Sequence, residues 1–402
     1  MKQYSRPFIL IILIFFSVSS VRAADVGLFI DQTVDYNAHG TEFLNGVLDY
    51  PGIIIPHISA LLGDNGEIII SAGLNYRFEP LIFVPELLLT ELTMRFGMCE
   101  IKIGRMPYTD PMGIIAEGFF DGASLSYDTK AGTFSAGGWY TGFLYKSRAA
   151  IAMTEDERQS FYKELDYSDF MNTYFAPSRV LSALSWEHPS VGGLNVKIAA
   201  LGQFDFTEAD LNSQYFTVKI AIPSKQFLFD IGGCFELIEE AEEFRTAMAA
   251  GIGLTWMLPS RFEQHFSLRG LFSSGVFEDI SISAFLPLTD IPQGNLLKTK
   301  LSGLSIISLS YMGRLHHTLS MDMNVSFFVR SDLGTYTSYP VIGVNSDGFL
   351  LGTELFWRFL WGMSSNIQMD MGAGVFMPSL GNAAPSADML WRTELSVIFS
   401  LF

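Results

Sequence analysis

The sequence predicts an all-β chain, a transmembrane antiparallel up-and-down β-barrel of about eighteen strands, with sixteen as the alternative count. Three observations carry this. Helical periodicity is almost absent, while apolar and polar residues alternate with period two from end to end. The chain is 49% hydrophobic with a mean hydropathy of +0.28, yet no long apolar run follows its first residues. Connections alternate between short turns and longer segments. Dispersed apolar residues exclude a helical membrane protein and suit strands with one face on lipid and the other on water.

Residues 1–23 read as a signal peptide, with Lys2 and Arg6 ahead of the apolar run Phe8 to Val18 and small residues at Val21 and Ala23. The expected mature chain is 24–402. The run is too short to span a bilayer. The leader takes three of the 25 basic residues, which leaves 22 against 42 acidic and a formal net charge of −20. That balance excludes nucleic acid as a partner and attracts cations. The two cysteines, Cys99 in a turn and Cys234 in a strand, give no disulfide framework.

The strands follow in order. Ile68, Ile70, Ala72, Leu74, Tyr76 and Phe78 share one face, against Glu67, Ser71, Gly73, Asn75 and Arg77. Leu194, Val196, Ile198, Ala200, Phe204 and Phe206 oppose Asn195, Lys197, Gln203 and Asp205. Leu319, Met321, Met323, Val325, Phe327 and Val329 oppose Ser320, Asp322, Asn324, Ser326 and Arg330. Phe349, Leu351, Leu355, Trp357 and Phe359 oppose Gly352, Glu354 and Arg358. Ile367, Met369, Met371, Val375 and Met377 oppose Gln368, Asp370 and Gly372. These runs are long enough for a tilted strand to cross a bilayer.

Short turns are expected at 63–66, 97–99, 128–132, 189–193, 223–225, 258–264, 313–316 and 361–364, where Gly, Asn, Asp, Pro and Ser supply hairpin geometry. Longer segments are expected at 37–52, 78–86, 107–119, 147–178, 207–211, 239–243, 276–301, 331–347 and 378–388. With an opening strand at 26–36 and a closing one at 389–402 the count is eighteen, which puts both ends on the short-turn side. Sixteen would follow if Pro56 and Pro85, in stretches that alternate poorly, broke two strands.

The closing strand, Trp391 to Phe402, resembles the C-terminal signature of outer-membrane proteins that the barrel-assembly machinery reads. It departs in phase: Trp391, Leu395, Val397, Phe399 and Leu401 are one residue out of step with Phe402. The segment Ile103-Gly104-Arg105, Asp110-Pro111-Met112-Gly113 and Phe119-Phe120-Asp121-Gly122-Ala123 resembles part of porins and alginate-export-like barrels. The resemblance implies a bacterial outer membrane. Here Arg105 would pair with Asp110 or Asp121 and pin a loop to the wall.

Inward-facing charges number twelve acidic and ten basic by phase. The expected lumen wall includes Arg77, Lys197, Asp205, Arg269, Asp322, Arg330, Glu354, Arg358 and Asp370. The longest loop carries a capping-box spacing, Thr154 with Glu157. A short helix there would narrow the lumen with Glu155, Asp156, Glu157, Arg158, Lys163 and Glu164, or else lie on the rim. No nucleophile elbow, metal spacing or phosphate loop occurs, so no catalytic residue, metal or cofactor is expected. The function expected is passive diffusion of small hydrophilic solutes or ions through a porin-like channel, with membrane lipid as neighbour. The alternatives are a fatty-acid-type channel, which a hydrophobic substrate would cross, and a non-conducting adhesive barrel; conductance separates the adhesin from the channels.

Overall fold

The computed structural model describes residues 21–40, 46–78, 81–206, 210–240, 243–260, 262–277, 282–334, 338–339, 342–345 and 347–401. Most of the expected signal peptide, 1–20, lies outside the described residues, as does Phe402. The wall is a closed ring of eighteen antiparallel strands. They are β1 (Val21–His39), β2 (Pro51–Leu62), β3 (Gly66–Phe78), β4 (Leu81–Phe96), β5 (Cys99–Thr109), β6 (Glu117–Thr129), β7 (Gly132–Tyr140), β8 (Arg179–Val191) and β9 (Leu194–Asp205). Then come β10 (Leu211–Pro223), β11 (Phe227–Glu240), β12 (Glu243–Met257), β13 (His265–Ser273), β14 (Leu304–His316), β15 (Leu319–Arg330), β16 (Leu350–Gly362), β17 (Ile367–Met377) and β18 (Leu390–Leu401). Each pairs with its sequence neighbours. β1 pairs with β18 from Leu28 opposite Leu401 to His39 opposite Leu390, which closes the ring. Closure leaves no sheet edge, the condition for burying backbone in lipid. Its regular ladder with β2 starts at Ala24 opposite Ala60, the first residue expected after the leader.

Both prolines sit inside strands, which resolves the count in favour of eighteen. The β2–β3 ladder passes over Ile55 and Pro56. Pro85 pairs with Leu74 of β3 but has no partner on β5, so its missing N–H costs no ladder bond there. Four expectations fail, the first being that 239–243 is a long loop, since only 241–242 separate β11 from β12. Only 79–80 separate β3 from β4, so 78–86 is not a long loop. β14 continues to His316 through a bulge, which moves the turn to 317–318. The expectation that Leu351 shares a face with Leu355 fails because β16 bulges between Leu350 and Gly352; Leu351 is fully buried.

The outer face is apolar, with Leu74, Phe134, Ile198, Phe216, Leu268 and Phe327 all exposed. At the short-turn end, Phe227, Trp256, Phe266 and Tyr311 of four consecutive strands form a continuous row of ring contacts, as in the aromatic girdles of transmembrane barrels. The inner face changes character along the axis. At the long-loop end it is a packed apolar core, where Phe120, Phe285, Leu297, Phe328, Leu351 and Phe376 are fully buried. The strand pattern alone predicts water there. The infolded loops bring the missing apolar partners.

One infolding breaks the wall. β4 and β5 pair only as far as Thr90 opposite Arg105, and β6 and β7 only as far as Asp121 opposite Tyr140. β5 and β6 stay paired with each other beyond that level, to Thr109 opposite Glu117. The tip of this hairpin therefore leaves the wall as a unit and enters the lumen, where Met106, Ile114, Ile115, Ala116 and Phe120 are buried. Gly104 turns the strand with a φ of 116°, and a Cβ there would overlap the Thr90 carbonyl. Above this level β4 runs on with an unpaired edge while β7 ends at Tyr140, which leaves a notch. Residues 141–178 fill it, carrying the helices α1 (Lys146–Ala149), α2 (Glu155–Tyr162) and α3 (Phe170–Tyr174).

Candidate functional site

Two backbone segments line the spaces inside the barrel, the hairpin tip 110–117 and the stretch 291–297. Each is shaped by a carboxylate that accepts backbone N–H groups. The Asp110 carboxylate accepts from the amides of Met112, Gly113, Ile114, Ile115 and Ala116 at 2.8–3.1 Å. The tip thus curls around its own anion and satisfies donors that a buried loop otherwise leaves orphaned. Glu354, on the inner face of β16, accepts from the amides of Asn295, Leu296 and Leu297 at 2.8–3.1 Å. Arg392 donates to the Asn295 carbonyl while held by Asp35 and Glu394. The approach to the second segment also binds the tip: Thr289 donates its amide to Ile115 O, and its hydroxyl accepts from Glu117 N.

Below these segments, towards the short-turn end, lies a cavity of about 770 Å³. Gly113, Ile114 and Glu117 line it from the hairpin tip, and Ile291, Pro292, Gln293 and Asn295 from the second segment. The wall contributes Lys219, Asp230, Thr255, Ser267, Arg269, Ser308, Ser310, Asn324 and Ser326. Hydroxyl pairs bridge strands on this surface, Thr255 to Ser267 and Ser308 to Ser326. Among the described residues, no carboxylate lies within ion-pair distance of Lys219 or Arg269. A cavity of about 370 Å³ on the long-loop side is lined by Asp35, Asp49, Arg77, Asn295, Lys298 and Arg392. Asn295 borders both spaces, so the stretch 291–295 is the partition between them.

The sequence-expected residues fall into three groups. The first faces water in or near the lumen. Arg77 pairs with Asp49 at 2.8 Å, Lys197 with Glu187 at 2.8 Å, and Arg358 with Asp370, while Arg269 and Asp322 also face inward. The second group is buried and holds loops rather than water. Asp205 and Glu157 both receive the fully buried Arg179, at 3.1 and 2.6 Å. Arg330 donates to the carbonyls of Gly334, Asn345 and Gly348, and Glu354 belongs here too. Arg105 pairs in bidentate fashion with Asp121 and donates to the carbonyls of Leu87 and Phe143. It does not pair with Asp110, whose carboxylate is already saturated.

The third group is the expected constriction. The helix exists with its capping box at Thr154 and Glu157. Its residues do not line either cavity. Asp156, Lys163 and Glu164 are exposed, Arg158 is half-buried and Glu157 is tied to Arg179; the Glu155 side chain lies outside the described residues. The segment is instead fastened to the infolded loops. Ile151 bridges to Thr289, and Lys300 donates to the Ala152 carbonyl at 2.8 Å. Burial pushes the Lys300 ammonium down to about 8, with Asp290 acting the other way.

Sequence reasoning did not single out Arg179 or 291–295. Arg179 opens β8 in phase with the buried Leu181 and Ala183, so its own strand marks it only as inward. The stretch 291–295 has no strand phase at all.

No protein-family model matches the chain, and no curated protein matches its sequence. The fold does have solved relatives. Pseudomonas aeruginosa OccK2 (OpdF), crystallised with glucuronate, superposes with a TM-score of 0.64 at 10% identity over 95% of this chain and 99% of that one. Pseudomonas aeruginosa OccK8 (OprE) gives 0.63 at 9% identity over 95% and 98%. Acinetobacter baumannii OccAB1 gives 0.59 at 12% identity over 96% and 100%. The barrel is therefore the eighteen-stranded fold of these Occ chains, spanning nearly their full length.

Proposed function

We propose that this chain is a passive diffusion channel of a bacterial outer membrane, for small hydrophilic solutes that cross one at a time past the 291–295 partition. The carrying observation is the polar cavity of about 770 Å³ directly below that partition, inside a closed barrel with an apolar outer face. A barrel of this size encloses water unless loops fill it. Here loops narrow the path without lining it with apolar groups alone. Lys219 and Arg269 offer donors to a carboxylate or to sugar hydroxyls, and with Glu117 and Asp230 they leave the cavity lining balanced in charge within an acidic chain. Cleavage of residues 1–23, assembly through the strand ending at Phe402 and contact with outer-membrane lipid belong to the same reading.

Purified protein in planar bilayers tests it. Discrete conductance steps are expected, with added glucuronate interrupting them in a concentration-dependent way. Silence across many insertions of folded barrel would refute the channel. Steps that glucuronate leaves untouched would remove the role of Lys219 and Arg269 in solute contact.

A further inference from the structure

The notch in the wall raises a physical problem that the 141–178 segment solves. Above Thr90, the edge of β4 that faces the notch has no ladder partner. Unpaired carbonyls at membrane depth are costly. Three alternate carbonyls on this edge each receive one donor: Leu87 from the Arg105 guanidinium, Pro85 from the Tyr174 hydroxyl at 2.8 Å, and Phe83 from the Tyr167 hydroxyl. Side chains thus replace a strand.

The same segment presents apolar surface outwards. Tyr140 of β7 lies in phase with the exposed Phe134, on the outer face, and Phe143 packs edge-on against it with ring centroids 5.0 Å apart. Phe143 is 63% exposed, and its carbonyl accepts from Arg105 inside the notch. Tyr167 keeps its ring exposed although its hydroxyl is engaged. On the other side of the notch Leu81, Phe83 and Leu87 are exposed on the outer face of β4. The apolar surface of the barrel therefore continues across the notch.

We propose that Phe143 and Tyr167 form a lipid-contacting patch of the wall, occupied by outer-leaflet lipid at the boundary between acyl chains and headgroups. The argument is continuity: the patch extends an apolar belt, and aromatic rings with a polar tip favour that boundary. The segment is then a wall element, not a lumen loop. This rests on the membrane part of the proposed function, not on conduction.

The test places a nitroxide at Phe143→Cys in a Cys99→Ser, Cys234→Ala background, in vesicles of dioleoylphosphatidylcholine. Collision with dissolved oxygen, which concentrates among acyl chains, is compared with collision with a water-soluble nickel chelate. Leu87→Cys is the wall control and Lys163→Cys the water control. The expected oxygen-to-nickel ratio at Phe143 matches that at Leu87 and lies several-fold above that at Lys163. A ratio like that at Lys163 overturns the proposal, and so does protection from both reagents, which would mean a protein partner. A water-like ratio at Leu87 itself would instead defeat the membrane reading. Met171→Cys, on the exposed side of α3, reports on the same segment should the first variant not assemble.

Discussion

The two halves of this lumen are built from the same strands but use charge in opposite ways. At the long-loop end, Arg179, Glu354, Arg330 and Arg105 are buried, and each fastens a loop to the wall. At the short-turn end, Arg269 is exposed, the side chain of Arg358 is 52% exposed, and hydroxyl pairs fill the spaces between charges. A charged residue on the inner face of a barrel is therefore not by itself a pore-lining residue. It becomes a structural tie wherever a loop covers it, because a buried charge must be paired and a wet one need not be.

Removing one charge from each half tests this contrast most severely. Arg179→Met leaves Glu157 and Asp205 buried without their cation, a change that costs about 3–5 kcal/mol in comparable sites. Lys197→Met breaks a pair with Glu187 in which both side chains are exposed and should cost at most about 1 kcal/mol. Thermal unfolding of the detergent-solubilised barrel, read as loss of the compact band on unheated gels, measures both. Equal losses would erase the distinction between the halves.

Glu354→Gln is the next largest effect. An amide in place of the carboxylate weakens three charge-assisted bonds to 295–297 and sets an N–H₂ against N–H donors, at a cost of about 1.5–3 kcal/mol. The wall strand itself is unaltered. The expected signature is a noisier, altered single-channel conductance with an unchanged barrel on gels. Conductance identical to the parent would mean that 291–295 is held by other contacts.

A smaller effect concerns Lys300. Its ammonium is pushed down by burial to about 8 from 10.5. Between those values the unfolded segment holds a proton that the seated one has released, so seating strengthens as pH rises through this window. Below about 8 the lysine is charged in both states and the burial penalty is carried in full. Limited proteolysis of the 274–303 loop should slow between pH 7 and pH 10, and Lys300→Met should remove that dependence. An unchanged slope in the variant would assign it to another group.

The smallest expected stability effect is the one with the clearest functional readout. Lys219→Gln with Arg269→Gln should leave unfolding unchanged, because neither residue is tied to a loop. Reversal potentials in a salt gradient should shift towards cation preference. A stability loss like that of Arg179→Met would move these two residues into the structural class.

The strand at 319–330 shows how legible the wall was. Its alternation placed Asp322 and Arg330 inward and Phe327 outward, as found. It did not distinguish wet Asp322 from buried Arg330, and it left Phe328 without a reason to face the lumen. The capping box at Thr154 fixed where a helix begins but not which space that helix occupies. The segment 105–120 reads in sequence as a loop pinned to the wall, although its tip is one of two segments that enter the lumen.

The wall was determined locally. Every second side chain meets one solvent, turns need Gly, Asn, Asp or Pro, and both rules act over a few residues. The contents of the lumen were decided only by the tertiary structure. Glu354 finds the amides of 295–297 across 57 residues or more, and Arg179 finds Glu157 on the preceding loop beside its cross-strand partner Asp205 at the end of β9. The loop contacts depend on how the long connections fold into the ring, and no periodicity along one strand records them.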